Sequence, residues 1–377
     1  MTHIAVVVPT LGPAGAERVA RTLAERMATG ARVTVVTFDP RMGRRELARI
    51  TGLPWADRIP PGCAHVHLPA TGSGPRRLAL LATRFAALAR RAGFDAVYSF
   101  LTYPNVVVAV SRQLGRGRYV HVASEHALAD NLRANGRGMR LLAATLPAVY
   151  RLPDHLVVVS DAAGRSLRHA GALPRPERAV TIPNPIDLDA VRKLASAPLT
   201  ASQADRVRGP EVLVACFARL HPQKDHHTLL RALRLLPAQF RLLVVGDGPL
   251  RTELERFAAR LGVAGRTSFL PAVDNPYPLM RRADVLALAS REEGFGLVAL
   301  EAAALGVPFV GTAVGGLAEL CAWLGYPTVA PGDATALAAE IVRQAAAGPR
   351  VVPVERLARY DLTAVTAAYE SLAGRNA

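Results

Sequence analysis

Glu293 and Glu301 flank a glycine turn in the run Ser290-Arg-Glu-Glu-Gly-Phe-Gly-Leu-Val-Ala-Leu-Glu301. An apolar, strand-like run precedes it, and a helical pattern starts at Leu297. The Gly294-Phe295-Gly296 turn lets backbone come close to a ligand, and the N–H groups of the helix that follows face an anion. Glu301, about one turn into that helix, can accept hydrogen bonds from a diol such as a ribose. Glu293, just before the helix, can accept from a second hydroxylated group. The plainer reading is a capped surface helix with acidic residues near its positive end.

A second cluster lies in Phe217-Ala-Arg-Leu-His-Pro-Gln-Lys224, after another strand-like run. Arg219 and Lys224 there are suited to neutralising a diphosphate held at the strand's end. Lys193 and Lys224 are the only lysines in a chain with 46 Lys and Arg residues, so lysine at 224 is informative. His221, His226 and His227 follow no metal-ligand spacing and read as ordinary loop histidines. Val244-Val-Gly246-Asp-Gly248 imitates a dinucleotide fingerprint, but Arg251 stands where the third glycine belongs. Gly246 is therefore better read as part of a sheet-end turn. A further glycine loop, Gly12 to Gly15, sits between the first strand and the first helix. His126 closes the strand-like Val122-Ala-Ser-Glu; histidines at strand ends are more often structural. Asp187-Leu-Asp189 matches an Asp-x-Asp metal pattern, yet it follows Asn184-Pro185 and starts a helix, which favours N-capping. There is no serine nucleophile elbow and no Gly-x4-Gly-Lys phosphate loop.

The elements that must position these residues alternate. Buried strands are expected at Ile4–Val8, Val33–Phe38, Ala96–Phe100, Tyr119–Ala123, Leu156–Val159 and Val180–Ile182. Helices are expected at Ala16–Met27, Arg76–Arg91 and Met139–Tyr150. After the small, polar stretch at 191–210, read as a linker, the alternation restarts with strands Val212–Phe217, Phe240–Val245, Thr267–Leu270, Val285–Ala289 and Pro308–Gly311. Helices Thr228–Leu236, Leu250–Leu261, Leu297–Leu305 and Ala334–Ala347 fall between and after them. The end, Val354–Leu372, reads as one more amphipathic helix. Strand–helix alternation implies parallel sheets. The fold class is thus α/β, with two doubly wound Rossmann-like domains facing across a cleft: 1–190, linker 191–210, 211–353, and a final helix in 354–377.

Composition narrows the function classes. With 377 residues and half of them hydrophobic, the chain has material for two packed cores and is not a disordered one. Three cysteines, without metal spacing, suit a reducing compartment. The opening residues lack a basic leader, so no signal peptide is expected, and no apolar stretch is long enough to span a bilayer. The formal charge of +16 suits an anionic partner. Aromatic residues are not interleaved with basic ones, so no nucleic acid is expected.

Taken together, these residues resemble family 4 of the glycosyltransferases, the retaining nucleotide-sugar enzymes with the B-type fold. The resemblance runs along nearly the whole chain. It rests on Gly15-Ala-Glu-Arg, His126, Ser160-Asp161, Ile182-Pro-Asn184, Arg219 with Lys224, Gly246-Asp-Gly-Pro249, Glu293-Gly-Phe-Gly-Leu with Glu301, and Gly311-Thr-Ala-Val-Gly-Gly316. It implies that Arg219 and Lys224 hold the donor diphosphate, that Glu301 binds the ribose and that Glu293 contacts the donor sugar. Gly294, Phe295, Gly296 and Leu297 would touch sugar and phosphate, and His126 would approach the donor sugar from the first domain. The last helix would cross back to that domain. Two departures stand out: Ala14-Gly15 where the family often has Gly-Gly, and Asn184-Pro185 where it often has Asn-Gly.

The implied chemistry is transfer of a sugar from a nucleoside diphosphate sugar, UDP being the commoner base, to a hydroxyl with retention at the anomeric carbon. The nucleotide sugar is a substrate, so no cofactor and no metal are expected. Catalytic roles fall to His126, Arg219, Lys224 and Glu293. Envelope glycan or glycolipid assembly on a lipid-linked acceptor is the leading context, with a small-molecule acceptor such as an aminocyclitol as the alternative. A non-catalytic nucleotide- or nucleic-acid-binding protein is the alternative of another class. The location implied is cytoplasmic. The basic, apolar patterns Arg76–Arg91 and Arg137–Arg151 also suit peripheral contact with an anionic inner-membrane face, against the plainer reading that the apolar side packs on the first sheet.

Overall fold

The computed structural model describes residues 1–12, 14–38, 59–115, 117–128, 137–173 and 178–374. The chain divides into two units, Met1–Pro185 with Leu362–Ala377, and Ile186–Asp361. Each is built on a wholly parallel sheet with a reversal of strand order near its middle.

The first sheet has seven strands: β1 (His3–Val8), β2 (Arg32–Thr37), β3 (Cys63–His67), β4 (Ala96–Phe100), β5 (Val120–Glu125), β6 (His155–Val158) and β7 (Ala179–Thr181), in the order β3-β2-β1-β4-β5-β6-β7. Every residue of β1 and β4 is buried, as expected where helices cover both faces of a parallel sheet. The apolar side of helix Gly74–Ala92, formed by Leu81, Ala82, Phe85, Ala86 and Ala89, is buried as well. Phe85 packs edge-on to Tyr119 and stacks near Phe94. Removing that ring would cost about 3–5 kcal/mol. This apolar face, one of the two that the sequence offered to a membrane, is therefore core, and Arg76, Arg84, Arg90 and Arg91 are what this helix leaves exposed. Among the described residues no helix is long and apolar enough to cross a membrane.

The second sheet has six strands: β8 (Val212–Phe217), β9 (Phe240–Val245), β10 (Thr267–Leu270), β11 (Val285–Leu288), β12 (Phe309–Thr312) and β13 (Thr328–Val329), in the order β10-β9-β8-β11-β12-β13. Neighbours β8 and β11 meet through Val214 with Val285 and Ala215 with Leu286. From β8 the chain runs outward to β9 and β10. It then returns to β11 and leaves in the other direction.

Three expectations are corrected. Residues 191–210 are not a patternless linker: helix Leu188–Ala195 and helix Ala201–Val207 occupy most of them, within the second unit. The boundary between units falls at 185/186 rather than after 190. The terminal pattern is two helices, Val354–Ala358 in the second unit and Leu362–Leu372 in the first. The break between them is set by a bridge of Ile186 with Asp361 and by the Ile186 N–H donating to the Tyr360 carbonyl at 2.7 Å. The last three residues of the expected 354–377 segment lie outside the described ones.

Candidate active site

In open parallel sheets ligands bind beyond the carboxyl ends of the strands, where the strand order reverses. In the second unit that place is between β8 and β11. The loop after β8 carries Arg219 and Lys224, and the loop after β11 carries Ser290 and Glu293, so the topology brings together residues about 70 positions apart.

The Lys224 ammonium donates to Glu293 Oε1 in a largely buried ion pair. Ser290, fully buried, donates to the same oxygen at 2.9 Å. Two further contacts strap the loops together. Gln223 Nε2 donates to the Glu292 carbonyl at 3.0 Å, and the Arg291 N–H donates to the Gln223 carbonyl at 2.8 Å. Asp225, buried and in a left-handed backbone conformation with φ of 43°, accepts from Arg291 Nε at 3.0 Å and from the Thr228 hydroxyl at 2.9 Å. Ser290, Gln223, Asp225 and Arg291 are site-building residues that the sequence reading did not single out. Their pairing depends on which two loops the sheet puts side by side, which no local pattern encodes.

Arg219 is exposed, and its side chain has no hydrogen bond or ion pair among the described residues. Its charge is felt nonetheless: the His221 imidazole is pushed below its ordinary pKa by burial and then by Arg219 and Lys224. His226 is pushed down to about 4, chiefly by burial and then by Lys224 and His227, against the opposing pull of Asp225. Two cations thus share a small region beyond β8.

The glycines around this loop have a clear steric purpose. A Cβ at Gly246 would lie 2.0 Å from the Ala218 carbonyl oxygen, and one at Gly248 would lie 2.3 Å from that of Leu220. These two glycines let the turn after β9 pass under the backbone that presents Arg219. The Leu220 N–H donates to the Asp247 carbonyl at 2.8 Å, which holds the turn and that backbone together.

Beyond Glu293, Gly294 is half-buried, Phe295 is buried edge-on to Tyr360 at 5.9 Å, and Gly296 caps helix Leu297–Leu305 at φ of 90°. A side chain at Gly296 would strike Leu317, with its Cβ 2.6 Å from that residue's Cδ1. Leu297 opens the helix half-buried. Glu301, buried one turn in, accepts from the Tyr277 hydroxyl at 3.3 Å. Glycine turn, helix start and carboxylate occur here in the order the sequence suggested. Asp187 caps helix Leu188–Ala195 by accepting from the Ala190 N–H at 2.8 Å.

The first unit holds Gly15 and His126. Gly15 starts helix Gly15–Met27 and is exposed. His126 follows β5. Its Nε2 lies 3.0 Å from the Ser124 hydroxyl, and its ring is 5.7 Å from that of Phe100. Burial pushes the imidazole down to about 3, so it is neutral. The preceding Glu125 is almost wholly buried and accepts from the N–H groups of His126 and Ala127, each at 2.9 Å. Its other oxygen accepts from Thr102 at 2.8 Å and from the Tyr150 hydroxyl. Burial raises the Glu125 carboxyl above its ordinary value. Glu125 and Tyr150 were also missed in the sequence, where a glutamate inside a strand pattern gives no sign of its partners.

Comparison with known proteins agrees with this architecture. A model described as "Glycosyltransferase Family 4" matches residues 13–190, and one described as "Glycosyl transferases group 1" matches residues 211–346. The chain belongs to glycosyltransferase family 4. Among curated members, D-inositol 3-phosphate glycosyltransferase of Mycobacteroides abscessus is 42% identical over 120 residues, covering 29% of this chain and 26% of that protein. Putative glycosyltransferase EpsF of Bacillus subtilis is 27% identical over 220 residues, covering 58% and 57%. These alignments therefore span between a quarter and under three-fifths of the relatives' own length. Among solved structures, Anabaena HepE in complex with UDP and glucose matches with a TM-score of 0.79 at 22% identity, over 100% of both chains. This member of the family thus has the B-type fold, with parallel α/β units of seven and six strands among the described residues.

Proposed function

We propose that the protein transfers a sugar from a UDP-sugar to a hydroxyl of a small polyol-like acceptor, with retention at the anomeric carbon and without a metal. The observation that carries this reading is the Lys224–Glu293 pair where β8 and β11 part, followed by a helix that buries Glu301 one turn in. A departing nucleoside diphosphate builds up negative charge. Lys224, Arg219 and the start of helix Leu297–Leu305 supply preorganised positive charge for it. Glu301 supplies the acceptor for a ribose diol, and Glu293 the acceptor for a sugar hydroxyl once Lys224 turns to phosphate. His126 contributes as a neutral imidazole, a role that rests on the family resemblance. HepE was crystallised with UDP and glucose, which supports a UDP-sugar donor.

The acceptor choice follows from burial. The lipid-linked reading drew on basic, apolar helices at Arg76–Arg91 and Arg137–Arg151. The apolar face of the first is core, whereas the second leaves Leu141 exposed. Several curated relatives are named for inositol 3-phosphate, a small polyol. Charge and that exposed leucine remain as the arguments for a membrane surface.

A panel of nucleotide sugars, read by calorimetry and by hydrolysis, tests the donor. Submillimolar binding of one UDP-sugar, lost in Lys224→Ala and weakened in Glu301→Ala, is the expected result. Equal affinity of wild type and both variants for UDP would overturn the assignment.

A further inference from the structure

The final helix brings a phenol to the histidine of the first unit. Tyr369, 245 residues beyond Ser124 in sequence and almost wholly buried, has its hydroxyl 2.8 Å from Ser124 Oγ. The same serine oxygen lies 3.0 Å from His126 Nε2. We propose that Tyr369 and Ser124 are positioning residues for His126: the phenol donates to the serine, the serine donates to Nε2, and the imidazole is thereby held with its hydrogen on Nδ1.

The direction of this chain follows from the donors available. Tyr369 is kept protonated by burial, which raises its phenol above the ordinary value, and a phenolic O–H is a better donor than an aliphatic one. Ser124 has a single hydrogen. If it accepts from Tyr369, that hydrogen is free for Nε2, and a neutral imidazole with an accepting Nε2 carries its own hydrogen on Nδ1. Orientation is fixed from other sides too. Phe100 lies between the rings of His126 and Tyr369, at 5.7 and 6.0 Å, and the Tyr98 hydroxyl donates to the Tyr369 carbonyl at 3.3 Å. Glu125 pins the backbone of His126 and Ala127.

The consequence is chemical. His126 Nδ1 is buried and makes no hydrogen bond among the described residues. A hydrogen on it is a buried donor still to be met, a need that an oxygen of a sugar or polyol would answer once brought against the ring and an ammonium group would not. The tautomer stands on geometry alone, whereas its use in sugar transfer rests on the function proposed above.

Two measurements on the full chain separate these. Long-range proton–nitrogen correlation spectra, with the His126 signals assigned by comparison with His126→Gln, report which ring nitrogen is protonated. Wild type is expected to show protonated Nδ1 and bare Nε2. Tyr369→Phe, which keeps the ring and the packing, and Ser124→Ala should both show mixed tautomers, and Ser124→Thr should restore the wild-type pattern. Turnover of the nucleotide sugar should fall by about 10-fold in Tyr369→Phe, as expected for a group displaced at a reacting centre, with UDP affinity unchanged. A bare Nδ1 in wild type, or an unaltered tautomer in both Tyr369→Phe and Ser124→Ala, overturns the proposal. If wild type turns over no nucleotide sugar, the function fails while the spectra still decide the positioning.

Discussion

Glu125 in the first unit and Glu293 in the second are both buried, and both stand where a strand gives way to a loop. Their surroundings differ in kind. Among the described residues Glu125 meets neutral donors alone: two backbone N–H groups, Thr102 and Tyr150. The polar chain continues through neutral groups, with Asn105 donating to the Ser124 carbonyl at 3.0 Å and Ser99 lying 2.8 Å from His121 Nε2. Glu293 instead meets Lys224, whose loop also carries Arg219, and stands just before the start of helix Leu297–Leu305. Neutral hydrogen bonds fix a shape, whereas a charged pair can exchange one partner for an incoming anion. The first unit is therefore built to hold geometry, and the second to answer charge.

The largest test of this contrast is Lys224→Ala, which should reduce turnover by about 100- to 1,000-fold if that ammonium stabilises a leaving phosphate. It also leaves Glu293 buried without its cation, which costs about 3–5 kcal/mol of stability. Both effects fall together in the single variant, so Lys224→Met with Glu293→Gln is the cleaner comparison. The double variant should regain most of the melting temperature and none of the turnover. Recovery of turnover would mean the pair is structural.

In the first unit, Glu125→Ala should cost about 3 kcal/mol, because four buried donors lose their acceptor. Glu125→Gln should cost far less, since the amide oxygen can still take the two N–H groups and the hydroxyls can turn to accept. Chemical denaturation of both variants checks this. A similar loss in Glu125→Gln would show that the negative charge itself matters, and the contrast between the units would fail.

Acid tests both units. Burial pushes His121 and His126 down to about 3 and His226 to about 4. Between about pH 6.5 and 4 the unfolded chain holds protons on these histidines that the native chain does not, so stability rises with pH across that window. Glu125 acts in the opposite sense, because its raised carboxyl favours the native state as pH falls, and it offsets part of the loss. Counting His221, which is also pushed down, two of the lowered histidines lie in each unit, so melting curves from pH 7 to 4 should show both units losing stability. Equal melting temperatures at pH 7 and pH 4.5 would contradict this.

What could be read beforehand follows the same division. Strands Val212–Phe217 and Phe240–Val245 and helix Leu297–Leu305 are found where the apolar runs and the glycine turn put them. Helix Thr102–Gly115 was missed because Val106-Val-Val-Ala-Val reads as a strand; it is a helix buried through most of its length, where tertiary packing overrides propensity. Helix Ala201–Val207 did carry a local signal. Thr200 and Gln203 form a reciprocal capping box, which composition alone masked as linker. In the site, Glu293 and Glu301 stood out because carboxylates flank a glycine turn, and Lys224 because lysine is rare in this chain. Ser290, Glu125 and Tyr150 were not, since their importance lies in pairing across sheet register and between helices.

The smallest expected effect concerns Asp187, and it bears on where the second unit's positive charge comes from. If a divalent ion supplied that charge, the Asp187-Leu-Asp189 pair would be its natural ligand, and losing it would abolish transfer. Asp187 instead accepts from the Ala190 N–H, in an ordinary N-cap. Asp187→Ala should therefore lower stability by about 1 kcal/mol, the usual cost of a lost cap. Turnover should stay within about two-fold of wild type, since a loss of about 1 kcal/mol leaves nearly all molecules folded. Transfer should also survive chelator in wild type and in Asp189→Ala. Loss of activity with chelator, restored by magnesium or manganese and abolished in Asp189→Ala, would place a metal in the second unit. The charge that answers the anion would then be borrowed rather than built from Lys224 and Arg219.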